Sequence, residues 1–579
     1  LSAYIKTEGD PNGAVGRRER AVVHSALWAA AGDALGWITE LSRGPAGVAH
    51  RAGVSAVTEP VEWQRMVGGR AGPRVDLPAG TYSDDTQLRL AVSRSIRGDG
   101  SFDAETFGKI EVTVWPTYAL GGGLGTKAAA TNLSRRSVNW FSNFFDGAGQ
   151  KYVNGGGNGA AMRIQPHVWC SSRTDDELIL NVMRDALVTH GHPHGFCGAV
   201  FHALSLADAL QHGEIPKPNS WVGYVDRLKD LVRLIALEPQ LAAFWQSAWE
   251  NHGGKPVSSA IGKMIDEARR DLDIVRQTLE APTSDCYHDI LERLGCLTSE
   301  FRGSGFKTAL AALALAHIHR DSDPRHALAA AANELESDTD TIATMTGALL
   351  GAVSVHGPDW PIQDRDYIVQ DARRLAEISL GRPQDSFTYP DLGHWNPPTK
   401  QTDSIGWFDG QLAIAGLGLL VPQGEEYRAG DAIWQWCSLP FGQTVLAKRR
   451  VNLKEKIASS QLPGPPQRAR SPDHTPSHTR RDDSPQSSLP LAETPPDNRE
   501  RFSRAQPVSS GYVNSRDAYV APRDTIDSWT NEVIYSDFDD LILGRMLNRC
   551  IEQSQSVEAA VSFAAIIAKA RLARQRRRR

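Results

Sequence analysis

The sequence predicts an all-α domain followed by smaller segments of different composition, and three observations carry that prediction. From about residue 20 to residue 383, alanine-rich runs recur at helical spacing, at 26–35, 199–210, 309–317 and 327–335. Gly and Pro clusters punctuate those runs as helix ends and turns do. Few segments alternate with period two, so no large sheet is expected. The chain has 579 residues, more than one core needs, and its 41% hydrophobic and 23% charged residues are ordinary for a soluble globular protein. A net charge of -5 argues against a surface devoted to phosphate backbones.

Residues 384–450 change texture. Trp395, Trp407, Trp434 and Trp436 occur with Pro397, Pro398, Gly406, Gly410 and Gly416, which predicts a small appended module with short strands. Residues 451–524 are rich in Pro, Ser, Arg, Asp and Gln and poor in large apolar residues. Such a stretch cannot bury enough surface to offset its ordering entropy, so a disordered linker is expected. Residues 525–579 regain apolar positions at Ile534, Leu541, Leu543, Leu547, Ile551, Val561, Phe563 and Ile567, spaced for one or two amphipathic helices, and end in the basic run Arg576 to Arg579. That run reads as a solvated tail, and nucleic-acid binding is not favoured. The six cysteines form no CxxC pair, which predicts reduced thiols and a cytoplasmic protein. The apolar stretch 412–421 is broken by Gly and too short to span a bilayer, so no membrane insertion is expected. The first twenty residues carry no signal-peptide core and no initiator Met, as in a truncated or trimmed chain.

Three acidic motifs lie far apart: Gly32-Asp33-Ala34-Leu35-Gly36 followed by Glu40, Ser83-Asp84-Asp85-Thr86, and Asp338-Thr339-Asp340-Thr341. Neighbouring carboxylates repel, and a hard divalent cation offsets that repulsion. Asp, Glu, Ser and Thr oxygens are the ligands Mg²⁺, Mn²⁺ or Ca²⁺ prefer, and the absence of His argues against zinc. Helix capping is the other reading, with Ser83 or Asp84 capping 87–96 and Asp338 capping 341–350. The two readings are compatible, because a helix N-terminus beside a metal also attracts phosphate. The segment Gly155-Gly156-Gly157-Asn158-Gly159 lacks the P-loop form, but its glycines let backbone approach a ligand closely. In Thr189-His190-Gly191-His192-Pro193-His194, a helix-joining turn explains Gly191 and Pro193 better than a dedicated histidine metal site does.

These motifs, in their order along the chain and with Gly303-Ser304-Gly305-Phe306 before the last acidic one, resemble the ADP-ribosylglycohydrolase family, whose members include dinitrogenase reductase-activating glycohydrolases and ADP-ribosylarginine and ADP-ribosylserine hydrolases. The resemblance covers about residues 20–374, and Gly347 and Gly351 fall where the family's last motif continues. It implies a compact all-α domain with a binuclear Mg²⁺ or Mn²⁺ centre. The two ions would be held by Ser83, Asp84, Asp85, Asp338, Asp340 and Thr341, with Glu40 beside them as metal ligand or catalytic carboxylate. Gly157, Asn158 and Gly159 would lie against the ADP-ribose, with His190 near it. Gly125, in Gly123-Leu124-Gly125-Thr126, would belong to another substrate-lining loop. Two departures stand out: Glu336-Ser337 replaces the family's Gly-Gly, and Asn154, Gly155 and Gly156 stand where a Ser is common.

The implied reaction is hydrolysis of the N- or O-glycosidic bond between ADP-ribose and a modified acceptor, through a transition state with oxocarbenium character. Glu40 is assigned as general base ahead of Asp84 and Asp85. The negative charge of Glu336 ranks an ADP-ribosylated protein arginine as acceptor ahead of serine, modified nucleic acid or small molecules. A non-catalytic ADP-ribose-binding or structural member of the same fold is the main alternative, and a hydrolase of ADP-ribosylated nucleic acid is another. Because every motif precedes residue 384, a chain ending near Gln384 is expected to keep activity.

Overall fold

The computed structural model describes residues 11–69, 71–147, 149–464, 526–554 and 557–578. The principal helices of the first part are α1 (Pro11–Thr39), α2 (Gly44–Ala52), α3 (Asp84–Ser95), α4 (Leu124–Leu133), α5 (Asp176–Thr189), α6 (Pro193–His212), α7 (Gly305–Ile318), α8 (Pro324–Asn333), α9 (Thr339–Val353) and α10 (Arg365–Ser379). Of these, α7 and α9 are almost wholly buried, including Lys307 of α7 and Asp340 with four threonines of α9. A short antiparallel hairpin, β1 (Trp63–Met66) and β2 (Arg74–Leu77), pairs Trp63 with Leu77 and Arg65 with Val75.

The helices α1 and α9 run antiparallel with their backbones in contact, and glycine allows it. A Cβ at Gly32 would lie 2.3 Å from the Ala343 carbonyl oxygen, and one at Gly36 would lie 2.4 Å from that of Thr339. Reciprocally, Gly347 meets the Trp28 carbonyl at 2.2 Å and Gly351 that of His24 at 2.5 Å. Each helix thus supplies two glycines four residues apart, one turn of α-helix. Thr339 Oγ1 donates to the Gly36 carbonyl at 2.8 Å and fixes the register. This packing sets the C-terminal end of α1, where Glu40 follows, against the N-terminal end of α9, where Asp338 and Asp340 stand.

After residue 383 the chain forms short strands: β3 (Ile405–Phe408), β4 (Gln411–Ile414) and β5 (Gly418–Leu419) form one antiparallel sheet. The second comprises β6 (Val421–Ala429), β7 (Ala432–Ser438) and β8 (Thr444–Arg450), in the order β8-β7-β6. Its core is not separate. Trp395, Ile405, Ile414, Leu417 and Val445 pack with Leu88, Ile110, Val114, Trp115 and Met162 of the helical part. Trp395 Nε1 donates to the Lys109 carbonyl at 2.7 Å, and Arg94 Nη1 to Gln443 Oε1 at 2.7 Å.

The expected linker starts later than its composition suggested. Residues 451–464 are anchored: Trp407 bridges Lys456, Gln461 Nε2 donates to the His394 carbonyl at 2.7 Å, and Gly464 N to the Thr388 carbonyl at 3.1 Å. The rest of that expectation, 465–524, lies outside the described residues. The C-terminal segment has three helices rather than one or two: α11 (Ile526–Tyr535), α12 (Asp540–Ser554) and α13 (Val557–Arg578). They share a core of Trp529, Val533, Phe538, Met546, Phe563 and Ile567, and Lys569 pairs with Asp103 at 3.3 Å. Arg579 is outside the described residues. Among the described residues no helix is long and apolar enough to cross a membrane, and the six cysteines are free thiols.

Candidate active site

Asp33 organises the site without facing it. Fully buried on α1, it accepts from Ser83 N at 2.9 Å with Oδ1, and from Thr86 N at 2.8 Å and Thr86 Oγ1 at 2.6 Å with Oδ2. These bonds satisfy orphan donors at the N-terminus of α3 and pin that helix to α1. Ser83 caps α3, its Oγ accepting from Asp85 N at 3.2 Å. The capping reading of the second motif therefore holds alongside the acidic one. Asp338 stands at the N-cap position of α9, but its side chain makes no capping bond; Oδ2 accepts instead from Asn158 Nδ2 at 3.0 Å.

The acidic motifs meet where α3 and α9 begin. Thr341 Oγ1 lies 3.4 Å from Asp85 Oδ1. Asp84, Asp85, Asp340 and Thr341 are buried, whereas Glu40 and Asp338 are half-buried and form a rim above them. Burial and the charges of Glu40 and Asp33 push Asp84 up to about 8. Burial and the charges of Asp33, Asp84 and Asp338 hold Asp85 well above the usual carboxylate range. Asp340 is likewise raised by burial, then by Glu40, Asp338 and Asp85.

Among the described residues no three His, Cys, Asp or Glu side chains draw together into a closed metal cage. The donor set is nonetheless hard oxygen throughout, and Asp85 Oδ2 is buried with no hydrogen-bond partner. That chemistry fits a divalent cation, which favours the ionised form of each acid.

The glycine loop is fixed to the turn before α7. Asn158 N donates to the Gly303 carbonyl at 2.8 Å, Gly305 N to that of Gly156 at 3.0 Å, and Gly157 bridges Ser304. Asn158 thus ties this loop to the third acidic motif through Asp338. His190 lies against the loop: a Cβ at Gly159 would sit 3.0 Å from its Cε1, and one at Gly157 3.6 Å from its Nε2. Its Nδ1 is 2.7 Å from Thr189 Oγ1, and burial and the Arg163 charge push it down to about 3, so the ring is neutral near pH 7. The other histidines of that segment have separate partners. His192 Nδ1 accepts from His194 N at 3.2 Å, and His194 contacts Ser304 Oγ at 2.7 Å and Glu267 Oε2 at 3.1 Å.

Gly125 faces open space. A Cβ there would meet nothing within 4 Å. Gly121, with φ +98, is the residue of that stretch against the acids: its Cβ would lie 2.5 Å from Asp84 Oδ1. Gln87 Oε1 holds the approach to this turn by accepting from Leu120 N at 3.2 Å and Trp115 Nε1 at 3.1 Å.

Sequence reasoning also missed two cations. Arg89 is buried on α3 with Nη2 2.7 Å from Thr86 Oγ1, and its charge opposes those of Asp33 and Asp85. An arginine inside an otherwise buried helix was the available signal. Arg65, on β1, reaches Glu40 Oε2 at 2.9 Å, and no local pattern announces that pairing. Glu336 is exposed, and the Arg302 Nε donates to its carbonyl at 2.5 Å. A guanidinium therefore stands at the same turn and offsets the negative field expected of Glu336.

Buried carboxylates from two helix starts, joined by an asparagine to a glycine loop, describe a site for a polar, oxygen-rich ligand. Residues 16–383 match the ADP-ribosylglycohydrolase family, and the chain belongs to it. The family defines a glycosyl hydrolase acting on ADP-ribose linkages. A solved structure of an ADP-ribosylglycohydrolase-related protein complex is similar at 24% identity, covering 63% of this chain and 99% of that chain, with a TM-score of 0.36.

Proposed function

We propose that the chain hydrolyses the bond joining ADP-ribose to a modified acceptor, with two Mg²⁺ or Mn²⁺ ions as cofactors. One observation carries this reading: the buried acids of α3 and α9 converge, with Thr341 Oγ1 3.4 Å from Asp85 Oδ1. Ser83, Asp84, Asp85, Asp338, Asp340 and Thr341 are the residues that would hold the ions. When bound, such ions orient ribose hydroxyls and acidify water.

The remaining roles belong to the chain's own groups. Backbone at Gly157 and Gly159 lies against the ADP-ribose, and neutral His190 beneath them keeps the loop in place. Asn158, bonded to Asp338, sets the distance between loop and acids. Arg65 holds Glu40 Oε2, and Glu40 Oε1 is the acceptor we assign to the proton of the attacking water. The carboxylate also opposes positive charge that develops on the ribose. An arginine acceptor, ranked first from Glu336 alone, loses that support because Arg302 stands at the same turn.

The test supplies the full chain with ADP-ribose linked to arginine, serine, nucleobase and phosphate, and measures free ADP-ribose. Release that stops in EDTA and returns with Mg²⁺ or Mn²⁺ is expected. No release from any acceptor would indicate a non-catalytic member of the family, and full release in excess chelator would rule out the metal role.

A further inference from the structure

Arg65 reaches Glu40 because of the strand's period. On β1 Trp63 is buried and Arg65 half-buried, while Gln64 and Met66 between and beyond them are exposed, so Trp63 and Arg65 share the face that meets α1. Trp63 packs edge-on against Trp37, with ring centroids 4.9 Å apart at 83°. The Arg65 guanidinium lies 5.0 Å from the Trp37 ring centroid and 5.9 Å from that of Trp63, and Arg51 of α2 lies 5.8 Å from Trp63. A planar cation stacked on indoles keeps its fork in one orientation.

Part of this arrangement is structural. Arg51 Nη1 donates to the Ile38 and Glu40 carbonyls at 3.0 and 2.9 Å, and Arg65 Nη1 to that of Trp37 at 3.4 Å. Two arginines on the last carbonyls of α1 suit a helix C-terminus. That role does not explain the contact of Arg65 Nη2 with the Glu40 carboxylate. Nor does it explain why both side chains stay about one-fifth exposed, at 20% and 23%, while the acids behind them are buried.

A second observation points into the same spot. Trp37 Nε1 is buried without a hydrogen-bond partner. It lies by Gly121, where an added Cβ would be 3.6 Å from it and 2.5 Å from Asp84 Oδ1. A ligand oxygen placed there would satisfy this donor. Lys127, in the first turn of α4, adds a further positive charge that opposes Asp84. At the rim, where Asp338 is the other half-buried carboxylate, the guanidinium groups of Arg65 and Arg51 both stand beside Glu40.

We propose that Arg65 is the specificity-determining residue on the acceptor side, selecting an acceptor whose linking group is anionic, phosphate or carboxylate, over a cationic guanidinium. This rests on reading the site as an ADP-ribosyl hydrolase. A guanidinium acceptor must compete with Arg65 for Glu40 and stand beside two like charges. A phosphate or carboxylate oxygen takes donors of the Arg65 fork that Glu40 and Trp37 leave over, of the five that arginine carries.

Two measurements on the full chain test it. The first compares kcat/KM for phosphate-, glutamate- and arginine-linked ADP-ribose in the wild type, Arg65→Gln and Arg65→Lys. Because every substrate shares the ADP-ribose half, a general loss of fold cancels in the ratios. The anionic linkages should exceed arginine by tenfold or more, Arg65→Gln should cut that ratio at least tenfold, and Arg65→Lys should restore part of it. The phosphate and glutamate arms distinguish the two anions. The second measures binding of ADP-ribose 1″-phosphate against ADP-ribose in EDTA, where turnover plays no part. The wild type should prefer the phosphate, and Arg65→Gln should lose the preference. Arginine cleaved fastest, or a preference untouched by Arg65→Gln, overturns the proposal. If no acceptor is cleaved yet the binding preference follows Arg65, the hydrolase reading fails and the role of Arg65 stands. If that preference is also absent, both fail.

Discussion

Replacing Gly36 by Ala tests how the acidic motifs are brought together. The added Cβ would lie 2.4 Å from the Thr339 carbonyl oxygen and 2.5 Å from Asp340 Cα. An unstrained carbon contact needs roughly 3.5 Å, so α1 and the start of α9 must part by about 1 Å. Both obstacles are backbone, which cannot swing aside. Overpacking of this kind costs about 1–3 kcal/mol, and the better helix propensity of Ala returns up to about 1 kcal/mol. Gly351→Ala is the control: its Cβ would lie 2.5 Å from the His24 carbonyl, on the same helix pair but three turns from Asp340. Both variants should lower Tm by a few degrees. Only Gly36→Ala moves the turn that carries Asp338, Asp340 and Thr341, and a 1 Å misplacement costs on the order of 10²-fold in rate. The assay is ADP-ribose release beside a circular-dichroism melt, at a temperature where both variants are folded. Equal activity in the two variants, at equal loss of stability, would refute the argument that α1–α9 contact sets the site.

Asp85→Asn and Asp340→Asn should each reduce hydrolysis about 10²-fold or more. Both should raise Tm in EDTA, because burial among like charges already disfavours these acids, and both should weaken the Tm rise that Mg²⁺ gives the wild type. A chain ending at Gln384 should fail to fold stably, against the expectation from motif positions, because it bares Trp115, Ile110 and Val114 and takes Gln443 from Arg94; a cooperative melt matching the full chain's would contradict this. Burial holds His190 at about 3, His192 at about 4 and His202 at about 3. The unfolded chain protonates these rings near 6.5 and the folded chain does not, so the unfolded state binds more protons between those values. The buried acids Asp84, Asp85 and Asp340 act in the opposite sense, so the histidine contribution is read as a difference: relative to the wild type, His192→Asn should gain stability in the urea midpoint as pH drops from 7 toward 4.

The acidic motifs, the glycine loop and the helical texture were legible because each is local. Adjacent carboxylates such as Asp84 and Asp85 announce themselves in a single turn, and so does a run of glycines at 155–157. The division of labour among those acids was not legible. Asp33 and Asp84 look alike in sequence, yet Asp33 has both oxygens bonded at the start of α3 while Asp84 faces Gly121. Nor did the sequence show that Gly121, four residues before Gly125, is the glycine packed against Asp84.

By itself, then, the sequence determined the helical class, the three acidic motifs and the family they belong to, since these rest on spacing within one element and on order along the chain. Tertiary structure alone decided the rest. Glu40 meets Arg65 only because a hairpin folds across the end of α1. The β module shares a core with the helices only because Trp395 and Trp115 arrive on the same side. Both are contacts between segments whose spacing in sequence carries no period, and burial and charge neighbours, which set the acids' protonation, exist only once such segments have packed.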